Sequence, residues 1–255
     1  MDNLIENKID INYLDRIIFK LCLNENLYCL SVEENDYINS LITDGYPLFF
    51  QGLELYFKKE YSTAIEYFKK SIEMKNSYAM NTLAICYNNE LGVARNSIFA
   101  IELYQQSIQL NNSFAVNNLA HCYQNSLGVI KDIKKAFELF SKSASMGNPL
   151  AINNLAVCYH RGYGIERNIM LAIELYEQSI KLGYQHAKNN LQILIEAHPQ
   201  EYIEYLQLQL SSLNFLYKTL LNDHDELKNN LIQYAPNSDK VKSLEHNFYN
   251  NANKL

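Results

Sequence analysis

Cys86, Cys122 and Cys158 recur at intervals of 36 residues, each followed directly by a tyrosine, and Asn81, Asn117, Asn153 and Asn189 keep the same interval. Thiols on a fixed pitch raise three chemistries: a nucleophile, a disulfide ladder or a metal-binding row. Amides on a fixed pitch raise a fourth, since each offers donors and an acceptor to a peptide backbone. The other reactive residue types form no constellation. The six histidines, at 121, 160, 186, 198, 224 and 246, show no HExxH or other ligand spacing, and no GxGxxG, phosphate-binding loop or GxSxG occurs. Glu102, Glu138 and Glu174 share the pitch but stand beside apolar residues, as on a solvated helix face. No catalytic residue, metal or cofactor is therefore assigned, and the chain reads as a non-enzyme.

The elements that hold these residues must be helices. Only 4 prolines and 8 glycines interrupt 255 residues, with no tryptophan. The net charge of −6 and the scattered Lys and Arg leave no electrostatic footprint for nucleic acid or an anionic membrane. No apolar run approaches the roughly 18 to 20 residues of a membrane span. The stretch "MDNLIENKID" lacks the basic start of a secretory signal. Five cysteines, an odd number without a CxxC pair, suggest reduced thiols in a cytoplasm, that of a host if the source is an intracellular parasite or virus. The abundant, dispersed asparagines read as compositional bias.

Self-similarity decides the fold. The segments 78–112, 113–148 and 149–184 repeat one pattern: Ala79, Ala115 and Ala151 correspond, as do Leu83, Leu119 and Leu155, then Tyr87, Tyr123 and Tyr159, then Gly92, Gly128 and Gly164. The second half of each unit aligns Ala100, Ala136 and Ala172, then Leu103, Leu139 and Leu175, then Ser107, Ser143 and Ser179. Ala151, Leu155 and Tyr159 step by four along one helix; Ala172, Leu175, Tyr176 and Ser179 mark a second. Between them "RGYGIERN" carries Gly162 and Gly164, suited to reversing the chain. A two-helix unit cannot bury its apolar face alone, so copies must stack.

These units resemble the Sel-one-like repeat, the longer cousin of the tetratricopeptide repeat. "AINNLAVCYHRGYGIERNIMLAIELYEQSIKLGY", from Ala151 to Tyr184, matches that pattern at nearly every keyed position. Glu90 and Ser126 replace the first loop glycine in the earlier copies, which predicts less sharply turned loops there. The upstream unit, Pro47 to Asn76, lacks the longer loop and looks like a plain tetratricopeptide repeat. The resemblance implies an all-α superhelix, an α-solenoid, and a scaffold or adaptor role. A cysteine-rich branch of the family, some members of which bind or cleave β-lactams, staples the two helices of each repeat with a Cys pair. Here the second-helix cysteine is missing, and a hydrolase of that type stands only as a remote alternative.

On stacked repeats, like positions lie about 10 Å apart. A disulfide needs Cα atoms within about 7 Å, and a shared zinc needs sulfurs about 2.3 Å from one ion. Cys86, Cys122 and Cys158 are thus read as small apolar filler. Asn is a mediocre helix former, so its two series want a cause. Asn118, Asn154 and Asn190, just before the keyed leucine, suit bonds between repeats. Asn81, Asn117, Asn153 and Asn189 suit exposure in a groove, gripping the backbone of an extended peptide, as in the similar asparagine-bearing helices of kinesin light chains. His121, His160 and Arg161, further along the same helices, would read ligand side chains or simply face solvent.

Both ends depart from the repeat. Residues 1–45 read as a helical cap on the first repeat, with an amphipathic helix from Ile11 to Leu23 and a capping box of Ser31 with Glu34. The solenoid covers 46–198. Residues 199–235 form one long helix whose seam (Leu206, Leu210, Leu213, Tyr217, Leu220, Leu227 and Leu231) follows a 3.5-residue period. That seam either caps the solenoid or makes a homodimer. A loose tail occupies 236–255. The expected partner is another protein or an extended peptide, with no nucleic acid and no membrane insertion.

Overall fold

The protein is described by a computed structural model, covering residues 11–24, 31, 33–34, 37–38, 41 and 45–234. Among these residues every regular element is a helix: α1 (Ile11–Asn24), α2 (Tyr46–Phe57), α3 (Tyr61–Glu73), α4 (Ser77–Asn89), α5 (Ser97–Gln109), α6 (Ser113–Asn125), α7 (Ile133–Ser145), α8 (Pro149–Arg161), α9 (Ile169–Lys181), α10 (His186–Ala197) and α11 (Pro199–Tyr234). The chain divides into two compact units, 1–197 and 198–255. In the first unit α2–α3, α4–α5, α6–α7 and α8–α9 pair as hairpins, and each second helix packs on the first helix of the following repeat. The all-α solenoid expected from the repeat is therefore the fold.

Alanine lets the helices come close. Ala79, Ala115 and Ala151 are fully buried, as are Ala84, Ala120 and Ala156 on the same helices and Ala100 and Ala172 on the second helices. Large side chains fill what remains, with Phe68, Phe140 and Tyr176 among the most buried.

Polar latches repeat at the same pitch. The asparagines at 76, 112 and 148 are N-caps, each accepting the amide N–H three residues on, at 2.9 to 3.3 Å. Such a cap is worth about 1 kcal/mol. The other end of the same side chain ties repeats together: Asn112 Nδ2 donates to Ser77 Oγ and Asn148 Nδ2 to Ser113 Oγ, both at 3.3 Å. The keyed serines, all fully buried, donate from Oγ to the carbonyl that opens the first helix: Ser107 to Ser77, Ser143 to Ser113 and Ser179 to Pro149, each at 2.7 Å. Several asparagines that look like compositional bias in the sequence are thus structural.

The loops differ from expectation. Glu90, Ser126 and Gly162 all end their helices in the left-handed region, with φ of 59°, 60° and 72°. The first two loops turn as sharply as the third, because the same backbone bonds hold all three: Leu91, Leu127 and Tyr163 donate to the carbonyls of Cys86, Cys122 and Cys158 at 2.9 to 3.0 Å. A side chain in that conformation costs about 1–2 kcal/mol. Glu90→Gly should therefore raise stability by about 0.5–1 kcal/mol after the added freedom of the unfolded chain is deducted. A urea midpoint that falls instead would show that the loop carries no strain.

In the second unit α11 runs unbroken for 36 residues. Leu206, Leu210, Leu213, Tyr217, Leu220 and Leu227 are all exposed on it. The side chain of Leu231 and the tail from 235 onward lie outside the described residues.

Candidate functional site

Tyr78, Phe114 and Leu150, each two past an asparagine N-cap, and His186, the first residue of α10, line a common inner face at 36-residue intervals. Tyr78 stacks this column together, its ring lying 5.9 Å from Phe49, 6.2 Å from Tyr46 and 6.5 Å from Phe114. Tyr184 continues it, 5.5 Å from His186.

Helix α1 covers this face. Its amphipathic character was legible, and its contacts reach beyond the first repeat that it was expected to cover. Asp15 accepts a hydrogen bond from the Tyr78 hydroxyl in the second repeat and another, at 3.0 Å, from Ser113 Oγ in the third. Phe19 packs 6.0 Å from Tyr184, at the end of the fourth. Leu14, Ile17, Ile18, Phe19 and Leu21 are each no more than 5% exposed and belong to one apolar cluster with residues of the first three repeats. Burial of each is worth about 1.5–3 kcal/mol before ordering losses. The expected capping box also forms: Ser31 N donates to Glu34 Oε2 at 2.7 Å and Glu34 N to Ser31 Oγ at 3.2 Å. Lys20 on α1 bonds the same Glu34 carboxylate at 2.7 Å.

Burial raises the Asp15 carboxyl above its ordinary value of 3.8, against the pull of its two hydroxyl donors. The Tyr78 hydroxyl is pushed well above its usual value by burial and by the Asp15 charge, so it stays a donor. The sign follows from linkage. A raised folded value means the contact is strongest in the acid form, fully present below 3.8 and weakened as pH climbs through the raised value.

Asn118, Asn154 and Asn190 bond between repeats, as expected of them, but the series at 81, 117 and 153 is not the exposed row that the periodicity predicts. Asn81, Asn117 and Asn153 are buried and engage the neighbouring repeat. Asn118 Nδ2 donates to Asn81 Oδ1, Asn154 Nδ2 to Asn117 Oδ1 and Asn190 Nδ2 to Asn153 Oδ1, at 2.8 to 2.9 Å. Within a helix, Asn117 donates to Asn118 and Asn153 to Asn154 at 3.3 Å. The two series interlock as one ladder of amides across the repeats. The missed signal is the offset of 37 rather than 36: partners sit one residue apart in the repeat register, which no single-helix pattern displays. Asn189, beside the last rung made by Asn190, is exposed.

His121 borders the ladder. Asn154 Nδ2 donates to its Nε2 at 3.0 Å, its ring stands edge-on to Phe140 at 5.0 Å, and burial lowers its pKa. It is a neutral acceptor rather than a free reader of ligand. His160 lies half-buried, edge-on to Tyr176 at 6.4 Å, and Arg161 is exposed. Cys86, Cys122 and Cys158 are free thiols, at most 2% exposed. Burial pushes Cys86 to about 12 and Cys158 to about 11, and it raises Cys122 as well. None is a thiolate at neutral pH, so none is a ready nucleophile. Among the described residues no three His, Cys, Asp or Glu converge as metal ligands, and no helix is long and apolar enough to cross a membrane.

Stacked two-helix units with an inner face built from their first helices define a helical-repeat solenoid. The Sel1 repeat model matches residues 48–76, 77–112, 113–148 and 149–184, and the chain belongs to the Sel1 repeat family. The first unit, which looks like a plain tetratricopeptide repeat in sequence, is thus counted as a Sel1 repeat. Proteins of this family are generally interaction scaffolds without catalysis. No curated protein matches the chain. Among solved structures it is similar to c5321, a protective antigen of uropathogenic Escherichia coli with an SLR fold, at 25% identity and a TM-score of 0.50. That match covers 64% of this chain and 36% of the antigen, so the chain spans little more than a third of that relative. A Sel1 repeat protein from Oxalobacter formigenes aligns at 28% identity and a TM-score of 0.44, over 49% of this chain and 94% of the other. Helicobacter pylori cysteine rich protein B aligns at 23% identity and 0.41, over 51% and 92%.

Proposed function

We propose that the protein is a non-enzymatic adaptor that takes a segment of a partner protein across the inner face of its first helices, with Tyr78, Phe114 and Leu150 as the apolar contacts. One observation carries this: a stretch of polypeptide, α1, already lies on that face and makes both apolar and hydrogen-bonded contact with it. The amides of Asn117 and Asn153 hold the repeats in register beneath the column of side chains that meets ligand, while Asn81 both bonds the next repeat and lines the cavity on that face. The test compares proteins captured by the wild type, by Leu150→Glu and by Glu138→Ala, an exposed control. Partners lost only with Leu150→Glu, at an unchanged melting temperature, support the proposal. An identical set from all three would overturn it.

A second role is favoured by α11. Its exposed seam is a two-stranded coiled-coil pattern, and an exposed apolar stripe of that length marks an interaction surface. Homodimerisation through it predicts that Leu213→Glu with Leu220→Glu halves the mass seen by light scattering. A mass that is the same with and without the charges excludes the dimer.

A further inference from the structure

Resting on the inner-face function proposed above, we infer that α1 is a built-in competitor for that face and that the partner is an amphipathic helix of α1's own chemistry. That chemistry is one carboxylate, preceded by an aliphatic residue and followed by large apolar side chains, as in Leu14-Asp15-Arg16-Ile17-Ile18-Phe19. A helix that only covered apolar surface would gain nothing from Asp15, because burying a carboxylate is unfavourable where a leucine would be favoured. Yet Asp15 takes hydrogen bonds from two repeats at once, Tyr78 in one and Ser113 in the next. The two hydroxyls make a socket for a carboxylate, formed only where adjacent repeats meet.

The fit of α1 is incomplete. A cavity of about 580 Å3 remains on this face beside Ile18 and Phe19, bounded by Phe49, Tyr56, Ile85 and Leu150. A partner helix with bulkier side chains at those two places makes contacts that α1 does not. A tethered segment needs little intrinsic affinity to hold its site, since its effective concentration is about millimolar. A weak occupant in cis and a better-filling helix in trans are the two halves of a displaceable cover.

The experiment uses the full chain and a fluorescein-labelled peptide with the sequence of residues 11–24. The chain has no tryptophan, so Phe19→Trp gives a single reporter of α1 burial. Unlabelled peptide added to this reporter above about a millimolar, the concentration that the tether supplies, should shift its emission to the red, and a peptide carrying Asp15→Lys should not. In a second arm, Asp15→Lys in the full chain frees the face, and labelled peptide should bind it about tenfold tighter or more than it binds wild type. Asp15→Asn, which keeps one acceptor oxygen but turns an N–H donor toward the second hydroxyl, should bind with an affinity between those of wild type and Asp15→Lys. Equal binding by wild type and a folded Asp15→Lys chain would sink the competitor role and leave the inner-face proposal standing. No binding to either, with a reporter that does not respond, would sink both. Should Asp15→Lys fail to fold, the reporter titration with the two peptides decides alone. A doubled mass for Asp15→Lys with loss of peptide binding would assign the face to α1 of a second copy and overturn the partner proposed here.

Discussion

Asn117→Ala should destabilise the protein by about 2–4 kcal/mol, while Asn189→Ala should change stability by no more than about 0.5 kcal/mol. The residues are identical and sit at the same place in the repeat register, two repeat lengths apart; their surroundings differ. Asn117 is 1% exposed, donates to Asn118 and accepts from Asn154. Truncation removes both bonds, leaves Asn118 Oδ1 and one Asn154 hydrogen without those partners, and opens a void between repeats. Asn189 is exposed, on the last repeat-like helix. Urea denaturation of the two variants measures the contrast. A pair of equal midpoints would show that the amide ladder contributes nothing. If instead Asn117→Ala kept its stability and lost a partner, the amides would belong to the binding surface and not to the frame beneath it.

Much of the scaffold was legible because a solenoid repeats its surroundings along with its letters. The equivalences Ala79–Ala115–Ala151 and Gly92–Gly128–Gly164 marked the units, and the long helix expected over 199–235 is found as Pro199–Tyr234. Three features were not legible, each for a physical reason. The burial of Asn117 depends on how far one repeat is rotated against the next, and a helical period says nothing of that angle. The left-handed Glu90 and Ser126 run against their own propensity; the loop's backbone bonds to the ends of the helix overrule it. The placement of α1 turns on a match between one carboxylate and two hydroxyls 63 and 98 residues away. Amphipathicity predicts that α1 packs on something, but its face suits the end of the first repeat as well as the inner surface. The cysteines came out as expected in burial because a small, soft side chain beside a keyed tyrosine has few other uses.

Gly128→Ala should cost more than about 3 kcal/mol, against about 1 kcal/mol for Gly147→Ala. Both residues have positive φ, at +71° and +84°, so each alanine carries the left-handed penalty of about 1–2 kcal/mol. Only Gly128 adds a collision. A Cβ there would lie 2.5 Å from the carbonyl oxygen of Ser97 and 2.7 Å from its carbonyl carbon, and these backbone atoms cannot swing aside, while nothing lies within 4 Å of one at Gly147. The contact joins the loop of the third repeat to the start of α5 in the second, so relief requires the two repeats to separate. Those are the repeats that supply Ser113 and Tyr78 to Asp15. Gly128→Ala should therefore loosen α1 as well as lower the urea midpoint, and hydrogen exchange in α1 should quicken beyond what the global loss accounts for. Gly147→Ala should leave exchange in α1 unchanged. Equal effects of the two alanines would mean that the close approach at Gly128 does not set the spacing of the hydroxyls on the inner face.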